Sequence, residues 1–159
     1  MGISMKKFIV ALCALLTTSF NLYAEDLEFP IFKSCYDGDT CKFDIPNVPD
    51  VFGKNLSIRI RGIDTPEIRG KCESEKNVAK KAKEFINFLM NKATTIEIKN
   101  VERGKYFRVV ADIYIDGKSV AEYMIQNEYA LPYEENIDWC RYKRLRTQHF
   151  TLQHHLVII

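Results

Sequence analysis

Two short segments of this chain carry residues whose types and spacing could do chemistry: Asp37-Gly38-Asp39-Thr40 and Arg59-Ile60-Arg61-Gly62-Ile63-Asp64-Thr65-Pro66-Glu67. Three of their carboxylates, Asp39, Asp64 and Glu67, fall at the ends of predicted strands instead of on a solvated helix face. Clustered carboxylates with a few backbone or hydroxyl oxygens make a hard-cation site suited to calcium. No His or Cys accompanies them, which argues against zinc. Arg59 and Arg108 supply the complementary half, each placed mid-strand by the pattern. A planar guanidinium can hold two phosphate oxygens at once. Two of them near a metal could neutralise charge growing on a phosphorane-like transition state. Taken singly, each part has a plainer reading. Asp37 to Thr40 could be only a hairpin turn, and either arginine only a surface ion pair, for instance with Asp112.

The elements that must position these residues follow from periodicity. Ile31 to Tyr36 and Thr40 to Ile45 are apolar-rich runs joined by Asp37-Gly38, a dipeptide suited to a tight hairpin because Gly supplies positive φ without strain. Asn47 to Gly53, with Pro46 and Pro49, reads as a loop. Leu56 to Ile63 alternates as a half-buried strand, with Leu56, Ile58 and Ile60 on one face and Ser57, Arg59 and Arg61 on the other. Pro66 cannot donate to a ladder and closes it. Ser74 to Ala93 changes period: Val78, Ala82, Phe85, Leu89 and Ala93 form the apolar stripe of an amphipathic helix. Thr94 to Lys99 and Tyr106 to Ile115 read as strands, the second turned by Asp116-Gly117. Its alternation sets Tyr106, Arg108 and Val110 against Phe107, Val109 and Ala111. Ser119 to Asn127 reads as a short helix capped by Ser119. Mainly β with helices, this order fits an α+β fold: a five-stranded Greek-key barrel of the OB type with two to three packed helices.

The ordered set Asp37-Gly38-Asp39-Thr40, Arg59, Asp64-Thr65-Pro66-Glu67, Lys105-Tyr106-Phe107-Arg108 and Asp116-Gly117-Lys118 resembles the staphylococcal nuclease (thermonuclease) family. The resemblance runs from about Cys35 to Leu131. Five residues separate Arg59 from Asp64 and eight separate Arg108 from Asp116, in agreement with the family spacing. It implies a calcium-dependent phosphodiesterase acting on DNA and RNA, single strands preferred. By the family pattern, Asp39 and Asp64 hold Ca2+ by side chain and Thr65 by its backbone carbonyl. Glu67 activates or orients the attacking water, and Arg59 and Arg108 bind the scissile phosphate. Cleavage of the 5′ P–O bond leaves 3′-phosphate ends. Lys105 and Tyr106 flank a terminal nucleotide phosphate. The alternative is a catalytically inactive OB module that only binds nucleic acid. Such a copy would be expected to have lost part of the constellation, and all of Asp39, Asp64, Glu67, Arg59 and Arg108 are present.

The chain's 159 residues suit one ordinary domain. Its formal charge of +2 comes from Lys6 and Lys7, and from Glu25 onward basic and acidic groups balance. A neutral domain is no bulk polycation, so nucleic-acid binding must come from a local patch. Lys6-Lys7, the apolar run Phe8 to Leu16 and Ala24 before Glu25 match a secretory signal peptide, cleaved after Ala24. The run is too short to span a bilayer. The expected organisation is thus a leader over 1–24, an OB-fold domain over 25–140 and a basic tail or helix over 141–159. The mature protein is expected to be secreted or periplasmic, monomeric, and without stable membrane association. Arg141, Lys143, Arg144 and Arg146 make the tail basic, while His154-His155 without partners is not a metal site.

Removing the leader takes Cys13 and leaves Cys35, Cys41, Cys72 and Cys140. Four cysteines in an exported chain suggest disulfides, with three pairings open. With a three-residue loop, Cys35 and Cys41 would face each other across the hairpin, where strand geometry brings Cα atoms within disulfide range. Cys72 and Cys140 would then tie the segment after Glu67 to the C-terminal region.

Overall fold

The computed structural model describes residues 25–133 and 137–142. The expected leader and the tail from 143 onward lie outside the described residues. The strands are β1 (Glu25–Leu27), β2 (Ile31–Cys35), β3 (Thr40–Asp44), β4 (Leu56–Ile60), β5 (Ile63–Asp64), β6 (Ile96–Arg103), β7 (Val109–Ile115), β8 (Lys118–Ser119) and β9 (Leu131–Pro132). Helices among the described residues include α1 (Asp50–Gly53), α2 (Glu73–Lys92) and α3 (Val120–Gln126), with a 3-10 turn at Lys105–Phe107. None is long and apolar enough to cross a membrane.

The main sheet runs β1-β6-β7-β4-β3-β2, with β8 paired to β7, and β5 pairs separately with β9. All of these pairings are antiparallel except β4 with β7. The architecture is α+β, a sheet carrying several helices. It differs from the expected five-stranded closed barrel in strand number, and among the described residues no ladder joins β1 to β2. The extra strands are short edge pieces of two or three residues, too brief for alternation to register in sequence.

Alternation in β4 does what it should: Ile58 and Ile60 are buried in the core with Phe43, Ile98 and Ile113, while Arg59 faces away from it. Helix α2 buries Glu75, Ala79, Ala82, Ile86 and Met90. The expected stripe is therefore rotated, and Phe85, Leu89 and Ala93 sit at its margin, packed on the core but only partly buried. The rotation brings small alanines to the hairpin. A Cβ on Gly38 would lie 2.9 Å from Thr65 Cγ2 and 3.1 Å from Ala82 Cβ. Gly38 does not have positive φ. The glycine is needed for close approach, not for the left-handed turn anticipated from Asp37-Gly38. Asn87 of α2 completes the junction, accepting from Cys35 N–H at 3.0 Å and donating to its carbonyl at 3.3 Å.

Three further boundaries move. The strand anticipated over Leu56 to Ile63 breaks after Ile60, where Gly62 takes φ +76°, and Ile63–Asp64 turns away to pair with Leu131–Pro132. The strand anticipated from Tyr106 begins at Val109, so Arg108 is not mid-strand but stands just before it. Residues Asn47 to Gly53, read as a loop, end in the single turn of α1.

Disulfides join Cys35 to Cys41 and Cys72 to Cys140. They close loops with sequence separations of 6 and 68. The chain-entropy argument assigns about 2 kcal/mol to the short closure and about 4 kcal/mol to the long one. Paired Cys→Ser replacement at 72 and 140 should therefore destabilise the protein more than the same change at 35 and 41. Urea unfolding of the two double variants checks this; equal losses, or the reverse order, would refute it.

Candidate active site

The site begins with the hairpin turn. Asp37 is buried, and its Oδ1 accepts the backbone N–H groups of Asp39 and Thr40 at 3.2 and 2.8 Å. This side-chain turn is a familiar use of Asp. It fixes Asp39 at the start of β3, where only 2% of its surface is exposed. Ile60 N–H of β4 donates to Asp39 O at 2.8 Å, so the aspartate's backbone is sewn to the neighbouring strand.

Arg59 lies beside Thr40 in the β3–β4 register. Its guanidinium meets Asp39 Oδ2 at 2.6 Å, Asp64 Oδ1 at 3.6 Å and the Ile63 carbonyl at 3.2 Å. The bend at Gly62 makes this possible, because a strand running straight on would carry Asp64 away from Arg59. Thr40 Oγ1 donates to Asp39 Oδ1 at 2.8 Å. Arg61, on the same face by sequence, has a different role. It pairs with Asp112 at 3.1 Å and with Glu102, and it bonds the Asn100 carbonyl. The ion pair with Asp112 that was open to Arg59 or Arg108 is made by Arg61.

Glu67 follows buried Thr65 and Pro66 on a tightly held loop. Its carboxylate makes no hydrogen bond among the described residues, while its backbone is well tied. Glu67 and Lys71 N–H groups donate to Glu75 Oε1 and Oε2 at 3.4 and 2.8 Å, and Gly70 N–H bonds Glu67 O at 2.9 Å. A Cβ on Gly70 would fall 2.3 Å from Glu75 Cδ, so only glycine lets the loop wrap that carboxylate. Cys140 Sγ lies 3.5 Å from Glu75 Oε2. Cys72, Glu75 and Cys140 are close enough to suggest a metal cluster, but both sulfurs are spent on the disulfide.

Sequence reasoning singled out Asp39, Asp64, Thr65, Glu67 and Arg59, and the fold gathers them at one end of β3, β4 and β5. It missed three residues that hold them. Asp37 was read only as a turn residue. Glu75 was unnoticed, although an acid in the first turn of a helix, three residues past its cap, is a known signal for reaching back to loop N–H groups. Trp139, 4% exposed, donates Nε1–H to Asp64 Oδ2 at 2.8 Å and gave no local signal. Lys105, Tyr106 and Arg108 lie on the 3-10 turn before β7 and just after it. No hydrogen bond or ion pair joins them to the acidic group among the described residues. Parallel pairing sets Val109 beside Ile58 and Val110 beside Arg59, which keeps their turn on a strand adjacent to β4. Arg108 is exposed and makes no ion pair among the described residues. Tyr106 is 91% exposed at φ 59°.

Crowded carboxylates shape the electrostatics. Burial and the nearby Asp37 carboxylate push the Asp39 carboxyl up to about 7, against the opposing pull of Arg59 and Thr40. Partial burial, then Asp37 and Asp64, raise the Glu67 carboxyl above the ordinary range, with Arg59 again opposing. The folded state thus holds a proton on Asp39 between pH 3.8, its ordinary value, and about 7, where the unfolded chain has lost it. Stability from this group is present at low pH and is lost as pH rises through about 7. Metal-free protein should melt at a lower temperature at pH 7.5 than at pH 5, and Asp39→Asn should flatten that decline. Melting curves in chelator test this. A parent whose melting temperature rises across the interval, or an Asp39→Asn variant with an undiminished fall, would overturn it.

Residues 57–151 match the staphylococcal nuclease homologue family. The matched span opens in β4, so the hairpin bearing Asp37 and Asp39 precedes it and joins the site through Arg59. An uncharacterized 38.1 kDa protein of Capnoides sempervirens is 36% identical over 89 residues, which cover 55% of this chain and 24% of that protein. The chain thus spans about a quarter of the length of that relative. The match extends over more than half of the sequence and contains Arg59, Asp64, Thr65, Glu67 and Arg108, and on it the chain belongs to the staphylococcal nuclease homologue family.

Proposed function

We propose that this protein is a calcium-dependent nuclease that hydrolyses phosphodiester bonds of DNA and RNA to 3′-phosphate ends. One observation carries the reading: a single guanidinium, Arg59, sits between Asp39 and Asp64 while the Glu67 carboxylate beside them has no partner among the described residues. An acid left unpaired beside other acids, its carboxyl raised by partial burial and then by Asp37 and Asp64, supports a functional role over a purely structural ion-pair cluster.

The donor set fits a hard cation. All of its side-chain ligands are oxygens, and four carboxylates face one arginine, a surplus of negative charge that a divalent ion would offset. Asp39 and Asp64 by side chain and Thr65 by its carbonyl would hold it. Calcium bound there supplies positive charge against the negative charge that grows on phosphate in the transition state.

The chain's own groups do the rest. Two of the five N–H groups of Arg59 are committed, to Asp39 and Ile63, and the others can take phosphate oxygens. Arg108, exposed and unpaired among the described residues, is the second phosphate ligand. Glu67 accepts a proton from water as the water oxygen attacks phosphorus. The bond to the 5′ oxygen breaks and that oxygen takes a proton from solvent, leaving a 3′-phosphate and a 5′-hydroxyl. Lys105 and exposed Tyr106 flank the neighbouring nucleotide, with single strands preferred because unpaired bases and backbone can reach the turn. We read the main sheet as OB-type, supported by the order β2-β3-β4-β7-β6 and the parallel β4–β7 pair. Both disulfides support export to an oxidising compartment, secreted or periplasmic, after cleavage at Ala24. The protein acts as a monomer without lasting membrane attachment.

Glu67→Gln keeps size and removes the base, so kcat should fall by about 10²–10⁴-fold with single-stranded DNA binding nearly unchanged. Arg108→Ala should lose phosphate affinity as well as rate. Steady-state kinetics with a labelled oligonucleotide separate the two patterns. Retention of more than about a third of kcat in Glu67→Gln would end the assignment of Glu67 as base. A parent that binds DNA without cleaving it would favour the inactive binding module.

Calcium accepts irregular oxygen ligation, whereas magnesium insists on tight octahedral geometry. Chelator should abolish activity, calcium should restore it and magnesium should not. Equal recovery with both ions would refute the calcium assignment.

A further inference from the structure

The C-terminal segment reaches the acidic centre through one residue. Trp139 is 4% exposed, and its indole N–H donates to Asp64 Oδ2 at 2.8 Å, across 75 residues of sequence. The segment carrying it is held at several points. Asp138 accepts Arg141 N–H at its side chain and Tyr142 N–H at its carbonyl, at 3.1 and 2.9 Å. Tyr142 packs edge-on against the indole, with ring centroids 5.6 Å apart. The next residue, Cys140, is bonded to Cys72 at the end of the Glu67 loop. The segment therefore touches one proposed ligand directly and grips the loop of the proposed base covalently.

We propose that Trp139 is a positioning residue that presets Asp64 for cation binding, with the Cys72–Cys140 disulfide holding the indole in place. This rests on the calcium reading above and names a group outside the set that reading uses. The chemistry favours an indole in this role. A Lys or Arg at the same point would neutralise Asp64 and compete with a cation. An indole N–H is a neutral donor and can only donate. It fixes the carboxylate plane through Oδ2 and adds no positive charge to that which Arg59 already brings to Oδ1 at 3.6 Å. Outer partners that orient metal ligands in this way typically contribute 10–100-fold to metal affinity.

The chain contains one Trp, so replacing every tryptophan alters only this residue. Full-length protein after export can be produced with benzothienylalanine, whose sulfur replaces the indole N–H at nearly constant shape, and with fluorotryptophan, which keeps the N–H. Calcium affinity is then measured by titration calorimetry, alongside melting temperature in chelator and kcat and KM on single-stranded DNA. Loss of the N–H should weaken calcium binding by about 10–100-fold. Fluorotryptophan protein should bind as the parent does. Without the N–H, KM for DNA at saturating calcium should change less than twofold, and melting in chelator should stay close to the parent. Trp139→Phe provides a second route to the same loss. If the parent binds calcium and benzothienylalanine protein binds it within twofold as well, the positioning role is wrong and the calcium reading stands. If the parent binds no calcium, the calcium reading fails and takes this role with it. If melting falls in step with affinity in both analogues, the indole is a packing residue only and the proposal is overturned.

Discussion

The contact of Arg59 with Asp39 organises this molecule. One guanidinium ties the hairpin turn at Asp39 to the short strand β5, where it meets the Ile63 carbonyl and the Asp64 carboxylate. Around it stand Asp37, Asp39, Asp64 and Glu67, and burial, then mutual repulsion, raises the carboxyls of Asp39 and Glu67. Removing one partner of a buried pair typically costs about 3–5 kcal/mol, because the remaining charge is left uncompensated. Arg59 therefore cannot be a purely functional residue. The guanidinium proposed to bind phosphate is also the group that lets the carboxylates coexist.

The same constraint explains the tight loop after Pro66. Glu67 keeps its carboxylate unpartnered near other acids among the described residues, an arrangement with little intrinsic stability. The compensation lies in the backbone. Glu75 gathers the N–H groups of Glu67 and Lys71, Gly70 gives it room, and the Cys72–Cys140 bridge closes the far side. A buried carboxylate receiving backbone N–H groups is an economical anchor, since it satisfies donors that the loop would otherwise expose. Every buried side-chain nitrogen and oxygen among the described residues has a hydrogen-bond partner.

The turn that carries Lys105, Tyr106 and Arg108 is built on another principle. Tyr106 holds a left-handed backbone, which is costly for a residue with a bulky side chain, and it projects an almost fully exposed ring. A polar residue or glycine would close such a turn with less strain. An exposed aromatic ring held next to two unencumbered cations suits a stacking and phosphate contact. Asp37 and Asp39 are buried in the acidic centre, whereas the side of the site carrying Lys105, Tyr106 and Arg108 is exposed.

Much of this was legible in the chain. Alternation in β4, the helical period of α2, the Ser119 cap and the ordered motif from Asp37 to Lys118 are local patterns, set by side-chain type and backbone geometry within a few residues. They singled out the residues proposed to carry the chemistry. Partnership was another matter. Both Arg59 and Arg61 read as exposed arginines on one face, and only the bend at Gly62 with the β6–β7 ladder assigned Arg59 to the acids and Arg61 to Asp112 and Glu102. Gly38 looked like a turn glycine and proved to be a gap that Thr65 and Ala82 fill. Asp64 meets Trp139 across 75 residues, and no periodicity can encode that distance. The sequence by itself determined the charges, the elements and the cysteines. Tertiary structure alone decided which carboxylate is paired and which is free, because that depends on burial and on contacts between segments that meet only after the chain has folded.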